Sequence, residues 1–178
     1  MNYKHLEKNI CDNIHEGQVK LGYADEIVRI YYFIPSLNGL LDTNAASVEE
    51  MDKILSTFPD LVSERLGKVE VSHQGERYCF MVSREGVAYI YEHYKENKFL
   101  KELISVLQTP NCTIDTIKEV FLLKSSEVVV EKTVGQEFDY VIYYKDPSID
   151  EFYYCFSIGE MGAYYHRFIE HDYKSVIS

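Results

Sequence analysis

The chain has 178 residues, a usual length for one hydrophobic core, and its 46% hydrophobic and 26% charged residues exclude a disordered polymer. Lys and Arg total 18 against 29 Asp and Glu, a net charge of -11. That balance works against nucleic acid, which is bound by neutralising phosphates, and against anionic membrane surfaces, while leaving a basic protein partner compatible.

In chain order, Tyr3, Leu6, Ile10 and Ile14 recur at helical spacing, and Gly22 is placed to cap the helix they predict. Residues 26–33 are dense in β-branched and aromatic side chains and read as a strand ended by Pro35. Apolar residues fall at both parities there, so both faces are expected to be covered. Ser47 and Glu50 form a capping box for a helix carrying Met51, Leu55 and Phe58, interrupted at Pro59 and closed by Gly67. Residues 68–73 and 76–82 read as a hairpin turning at Gln74-Gly75. A helical pattern follows from Ser83 to Leu107, with the polar stretch Lys95–Lys98 as a break. Another helix is expected over 113–124. Residues 127–133, 138–144 and 151–158 read as a meander separated by Gly135 and by Asp146-Pro147-Ser148. Gly159 is expected to open a last helix carrying Met161, Tyr164, Tyr165, Phe168 and Ile169.

The fold class is therefore α+β, a mainly antiparallel sheet with helices packed on it, in a single domain over 1–178. An internal strand–strand–helix duplication is also expected. Laid without a gap, Glu76, Tyr78, Glu85, Ala88 and Tyr89 fall on Glu151, Tyr153, Glu160, Ala163 and Tyr164. If the halves are related, Glu85 and Glu160 occupy equivalent first helical turns. There they either complement the helix dipole or, with Tyr89 and Tyr164, line a ligand-binding pocket between the halves.

Motifs that carry chemistry are sparse. His166 and His171 are five apart, so they cannot share a helix face as zinc ligands do, and His166 reads instead as an i, i+4 partner of Glu170. No phosphate-binding glycine loop and no nucleophile elbow occur, so no metal, cofactor or catalytic residue is assigned. Cys79 and Cys155 each stand between Tyr and Phe, as in strand interiors. Cys112 precedes a helix start that could lower its pKa. Asp139, Asp146, Asp150 and Glu151 sit around turns, where acids are normally solvated. The four cysteines form no C-x-x-C pair, residues 1–8 lack the apolar region of a signal peptide, and no stretch approaches the ~20 apolar residues of a membrane span. A cytoplasmic protein with reduced thiols is expected.

Tyrosine is in surplus, 16 residues with no Trp, and the doublets Tyr31-Tyr32, Tyr143-Tyr144, Tyr153-Tyr154 and Tyr164-Tyr165 stand out. Strand geometry would send one ring of a doublet inward and the other outward. Outward rows of rings suit a protein interface, including one between two copies of the chain. Two segments, Leu6-Glu7-Lys8-Asn9-Ile10 through Lys20-Leu21-Gly22-Tyr23 into Ile30-Tyr31-Tyr32, and Cys155 through Gly162, resemble a bacterial family known only as a domain of unknown function. The resemblance spans essentially the whole chain and implies no activity and no functional residues. The leading expectation is a non-enzymatic protein that binds a basic partner through an acidic, tyrosine-rich surface. The other is a small-molecule binder or enzyme using Glu85, Tyr89, Glu160 and Tyr164.

Overall fold

Helix α1 (Tyr3–Leu21) buries Leu6, Ile10 and Ile14, the stripe that its sequence spacing demands. The Asn2 side chain accepts from the His5 N–H at 3.2 Å, and Gly22 ends the helix at φ 85, an angle that residues with a Cβ rarely adopt. The computed structural model describes residues 1–134 and 137–176, which divide into two compact units, 1–96 and 97–178. The division falls within the polar stretch Lys95–Lys98.

Unit 1 continues with β1 (Val28–Phe33), α2 (Ile34–Leu41), α3 (Val48–Leu55), α4 (Phe58–Leu66), β2 (Val69–Gln74), β3 (Arg77–Val82) and α5 (Arg84–His93). Helix α2 has no counterpart in the sequence reading, which takes Pro35 only as the end of a strand. Pro35 stands in the first turn of α2, where its missing N–H costs nothing. The capping box forms. Ser47 accepts from the Glu50 N–H at 3.3 Å, and the Glu50 carboxylate reaches back to the Ala46 N–H at 2.8 Å.

The three strands make an antiparallel sheet in the order β1-β3-β2. Its inner face buries Tyr32, Tyr78, Phe80 and Val82, with Phe80 edge-on to Phe58 of α4 at 5.7 Å. The buried hydroxyls are satisfied: Tyr32 donates to Asn9 at 2.7 Å and Tyr78 to Asp52 at 2.8 Å. The outer face is open, contrary to the expectation for β1. Tyr31 and Phe33 are 48% and 56% exposed, and the Arg77 guanidinium lies 4.2 Å above the Tyr31 ring. Arg29 shares their parity, so this row could not be buried without taking a charge with it.

Unit 2 consists of α6 (Lys98–Leu107), α7 (Ile114–Leu122), β4 (Val128–Lys132), β5 (Tyr140–Tyr144), β6 (Phe152–Gly159), β7 (Gly162–Ile169) and α8 (Glu170–Val176). The four strands form an antiparallel meander in the order β4-β5-β6-β7, not strands added to the first sheet. The expected turn residue Gly135 lies outside the described residues. On one face Leu103 of α6 and Ile117 and Phe121 of α7 pack on Ile142, Tyr144, Tyr154 and Phe156. On the other, Phe138, Val141 and Cys155 meet Tyr173 of α8.

Residues 162–169 are a strand where a helix was expected. Tyr164, Tyr165, Phe168 and Ile169 satisfy helical spacing, but the run is rich in β-formers and pairs with β6 from Gly159↔Gly162 to Phe152↔Ile169. The duplication falls with it. Residues 84–93 are the helix α5, whereas the aligned 159–168 turns and returns as β7. Glu85, Ala88 and Tyr89 lie in a helix where Glu160, Ala163 and Tyr164 lie in a turn and a strand, so the matches do not mark a repeated unit.

Candidate binding surfaces

The β6–β7 turn lies against the end of α6. Glu160 and Met161 fill its two positions without left-handed angles, and Gly162 takes the unusual φ of 138. A Cβ on Gly162 would stand 2.5 Å from the Leu107 carbonyl oxygen, so only glycine lets the turn lie this close to the end of α6. The Asn111 N–H donates to the Glu160 carbonyl at 3.0 Å, tying the turn to the α6–α7 connection. Held in this way, Met161 and Tyr164 are 85% and 57% exposed. With Leu107, Gln108 and Ala163 they border an open, largely apolar depression of about 710 Å³ in which Glu160 is the one charged residue.

The four residues singled out by sequence fall in different units. Glu85 lies in the first turn of α5, and its carboxyl is held below the usual range by its own backbone N–H and the Ser83 hydroxyl. A carboxylate in a first helical turn also complements the helix dipole. Tyr89, one turn on, stacks on His93 at 4.1 Å and lines a smaller pocket within unit 1. Glu160 and Tyr164 stand together at the β6–β7 turn, not in a helix.

The pocket at Tyr89 was not legible in the sequence. It lies among α1, α4 and α5, with a volume of about 260 Å³, and is lined by Lys4, Glu7, Lys8, Cys11, Arg65 and Tyr94 besides Tyr89. Glu7 is buried and accepts from Arg65 at 2.7 Å. Burial pushes its carboxyl up, against the pull of Arg65 and Lys4. The residues of α1 that line it, at positions 4, 7, 8 and 11, follow helical periodicity, but only the packing of α4 and α5 brings Arg65, Tyr89 and Tyr94 to them.

Other expectations resolve locally. Each tyrosine doublet sends one ring inward: Tyr32, Tyr144, Tyr154 and Tyr165 are buried. The opposite rings differ in fate, for Tyr143, Tyr153 and Tyr173 stack at 4.5 and 4.6 Å to form a second small core. His166 lies on β7 and Glu170 on α8, so they are not partners on one helix, and Glu170 pairs with Lys174 at 2.6 Å. Burial pushes the Cys112 thiol up, opposite to activation by a helix start, and pushes Cys155 up to about 11. Among the described residues no group of three or more His, Cys, Asp or Glu is placed to hold a metal ion.

Asp150 is not solvated. Its side chain is 9% exposed and accepts from Lys124 at 2.8 Å, from the Tyr154 hydroxyl at 2.9 Å and from the Phe152 N–H at 3.1 Å. Asp150→Ala should destabilise by about 2–3 kcal/mol, because the Tyr154 hydroxyl loses its acceptor in the core. Tyr154→Phe, which removes the stranded group itself, should cost about 1 kcal/mol. Urea unfolding of both variants checks the order; equal losses would refute it.

A family model described as "Domain of unknown function, E. rectale Gene description (DUF3877)" matches residues 3–177. No curated protein and no solved structure matches the chain.

Proposed function

The chain belongs to that family of domains of unknown function, named from a bacterium, and we propose that it acts without catalysis, by binding a protein partner with a basic surface. The observation that carries this reading is the β6–β7 turn, where exposed Met161 and Tyr164 flank the Glu160 carboxylate in an open apolar depression. An exposed thioether and phenol ring offer contact area at low ordering cost, and Tyr is a frequent hot-spot residue. The carboxylate supplies a counter-charge for a Lys or Arg that can also lie over the Tyr164 ring. The net charge of -11 favours the same class of partner at long range.

Burial that pushes Cys11, Cys112 and Cys155 upward speaks against a thiolate nucleophile. Four free cysteines fit a reducing compartment, and we place the protein in the cytoplasm on that ground. Among the described residues no helix is long and apolar enough to cross a membrane.

Affinity capture with the immobilised full chain tests the proposal. The wild type should retain a protein of high isoelectric point. Tyr164→Ala should weaken the complex by about 2 kcal/mol, the scale of an interface hot spot, and Glu160→Lys should abolish it. Both side chains are exposed, so the melting temperature of each variant should stay near that of the wild type. Retention that survives both substitutions, or a retained partner that is acidic, would refute the reading.

A further inference from the structure

The sheet order β1-β3-β2 leaves one side of β1 without a neighbouring strand. Hydrogen-bond parity identifies the residues that face it. The two-residue turn Gly75-Glu76 closes the β2–β3 hairpin at Gln74↔Arg77, a pair that exchanges both backbone bonds. With the same parity the Ser83 N–H donates to the Lys68 carbonyl at 3.0 Å. Odd residues of β3 therefore bond to β2, while Tyr78, Phe80 and Val82 bond to their partners Tyr32, Ile30 and Val28 on β1. The N–H and C=O of Arg29 and Tyr31 are left pointing away from the sheet. Among the described residues no other segment makes a backbone hydrogen bond to them.

Such an edge is usually blunted by a proline, a bulge or lysines. β1 has none of these. Its six pairs with β3 run without interruption, and residues 27–34 hold one charge, Arg29, and no acid in a chain with 29 acids. Tyr31 and Phe33 are exposed, and Val28 and Ile30 on the inner face are only half-buried.

We propose that β1 pairs antiparallel with β1 of a second copy of this chain, joining two three-stranded sheets into one of six strands. Arg29 stands opposite Tyr31 of the second copy, with Ile30 on the two-fold axis. This register uses the free groups of Arg29 and Tyr31 on both chains without calling on the Phe33 carbonyl, which opens α2. It also makes the segment complementary to itself. The Arg29 guanidinium meets the Tyr31 ring of the second copy on the side away from β3, from which Arg77 already lies 4.2 Å from the ring centroid. Ile30 faces its own copy, and Val28 faces Tyr32 of the second copy. A second copy supplies this order of guanidinium and ring by symmetry, so each contact forms twice. Two chains of net charge -11 thus meet along a segment that carries no acid. The pairing extends the edge and leaves the outer face to water, so Arg29 keeps its hydration. It concerns unit 1 alone and does not rest on the β6–β7 surface of unit 2.

Sedimentation equilibrium of the full chain tests the pairing, and the wild type should be a dimer. Tyr31→Lys, at an exposed position, sets a lysine against Arg29 of the second copy. It should weaken dimerisation about a hundredfold, tenfold at each of the two symmetric contacts. Adding Arg29→Glu to that variant should restore the dimer, because glutamate and lysine then face each other. A wild type that stays monomeric at every concentration, a dimer indifferent to Tyr31→Lys, or a double variant that remains monomeric would each overturn the proposal. Amide exchange of the wild type gives a readout that needs no variant. The Arg29 and Tyr31 N–H groups should become protected as concentration rises, and rapid exchange at all concentrations would refute the pairing.

Discussion

Gly86→Ala should destabilise the protein by about 3 kcal/mol, although alanine is the better helix former. Gly86 sits in the first turn of α5, and a Cβ there would stand 2.3 Å from the Leu66 carbonyl oxygen and 2.8 Å from a Val82 methyl carbon. The first contact is with backbone, which no rotamer change relieves, so α5 must move off the end of α4. The helix-propensity gain of about 1 kcal/mol is too small to offset this. Urea unfolding measures the loss. Amide exchange should show its source as faster opening within 1–96. A variant as stable as the wild type would mean that the α4–α5 approach is not as close as described.

Phe121→Ala should cost about 3–5 kcal/mol, the range for emptying a large aromatic site. Phe121 is fully buried at the centre of unit 2, edge-on to Tyr154 at 5.0 Å, to Phe99 at 5.1 Å and to Phe156 at 6.1 Å. Its carbonyl also accepts the Tyr144 hydroxyl at 2.9 Å. Edge-to-face geometry makes these rings support one another, so the cavity cannot close by a simple shift of one neighbour. Phe121→Leu, which keeps most of the volume, should cost about 1.5 kcal/mol. Near-ultraviolet dichroism should weaken in the alanine variant and persist in the leucine one. Equal stability of the two would contradict a tightly packed cluster.

Much of the fold was legible because local rules were strong. Ser47 and Glu50 announce α3, Gly75 announces the β2–β3 hairpin at φ 59, and the break at Lys95–Lys98 separates α5 from α6. The last third was misread where two periodicities coincide. Tyr164, Tyr165, Phe168 and Ile169 satisfy both a helix face and a strand, and the choice was made by pairing with β6. Gly159 and Gly162, symmetric about Glu160-Met161, carried the better signal of a tight turn.

Of the four proposed site residues, Glu160 and Tyr164 are neighbours at the β6–β7 turn, because that turn is local in sequence. Glu85 and Tyr89 likewise share α5, yet Tyr89 gains its meaning from Arg65 and from residues of α1 far away in sequence. Asp150 shows the same limit. Nothing in its turn-like surroundings foretells a buried carboxylate, since its partners Lys124 and Tyr154 reach it only when α7 and β6 pack.

By itself the sequence determined the α+β class, the acidic surface, most helix and strand positions and the one-in, one-out split of tyrosine doublets on strands. These depend on composition, on periodicity and on caps and turns a few residues long, all of which act before any tertiary contact forms. Tertiary structure decided that the strands form two sheets, that 162–169 is a strand, that Tyr143 and Tyr153 are stacked under α8 and that Arg65 of α4 meets Glu7 of α1. Each of these outcomes compares the energy of one long-range partner with that of another, and that comparison exists only once the chain is packed.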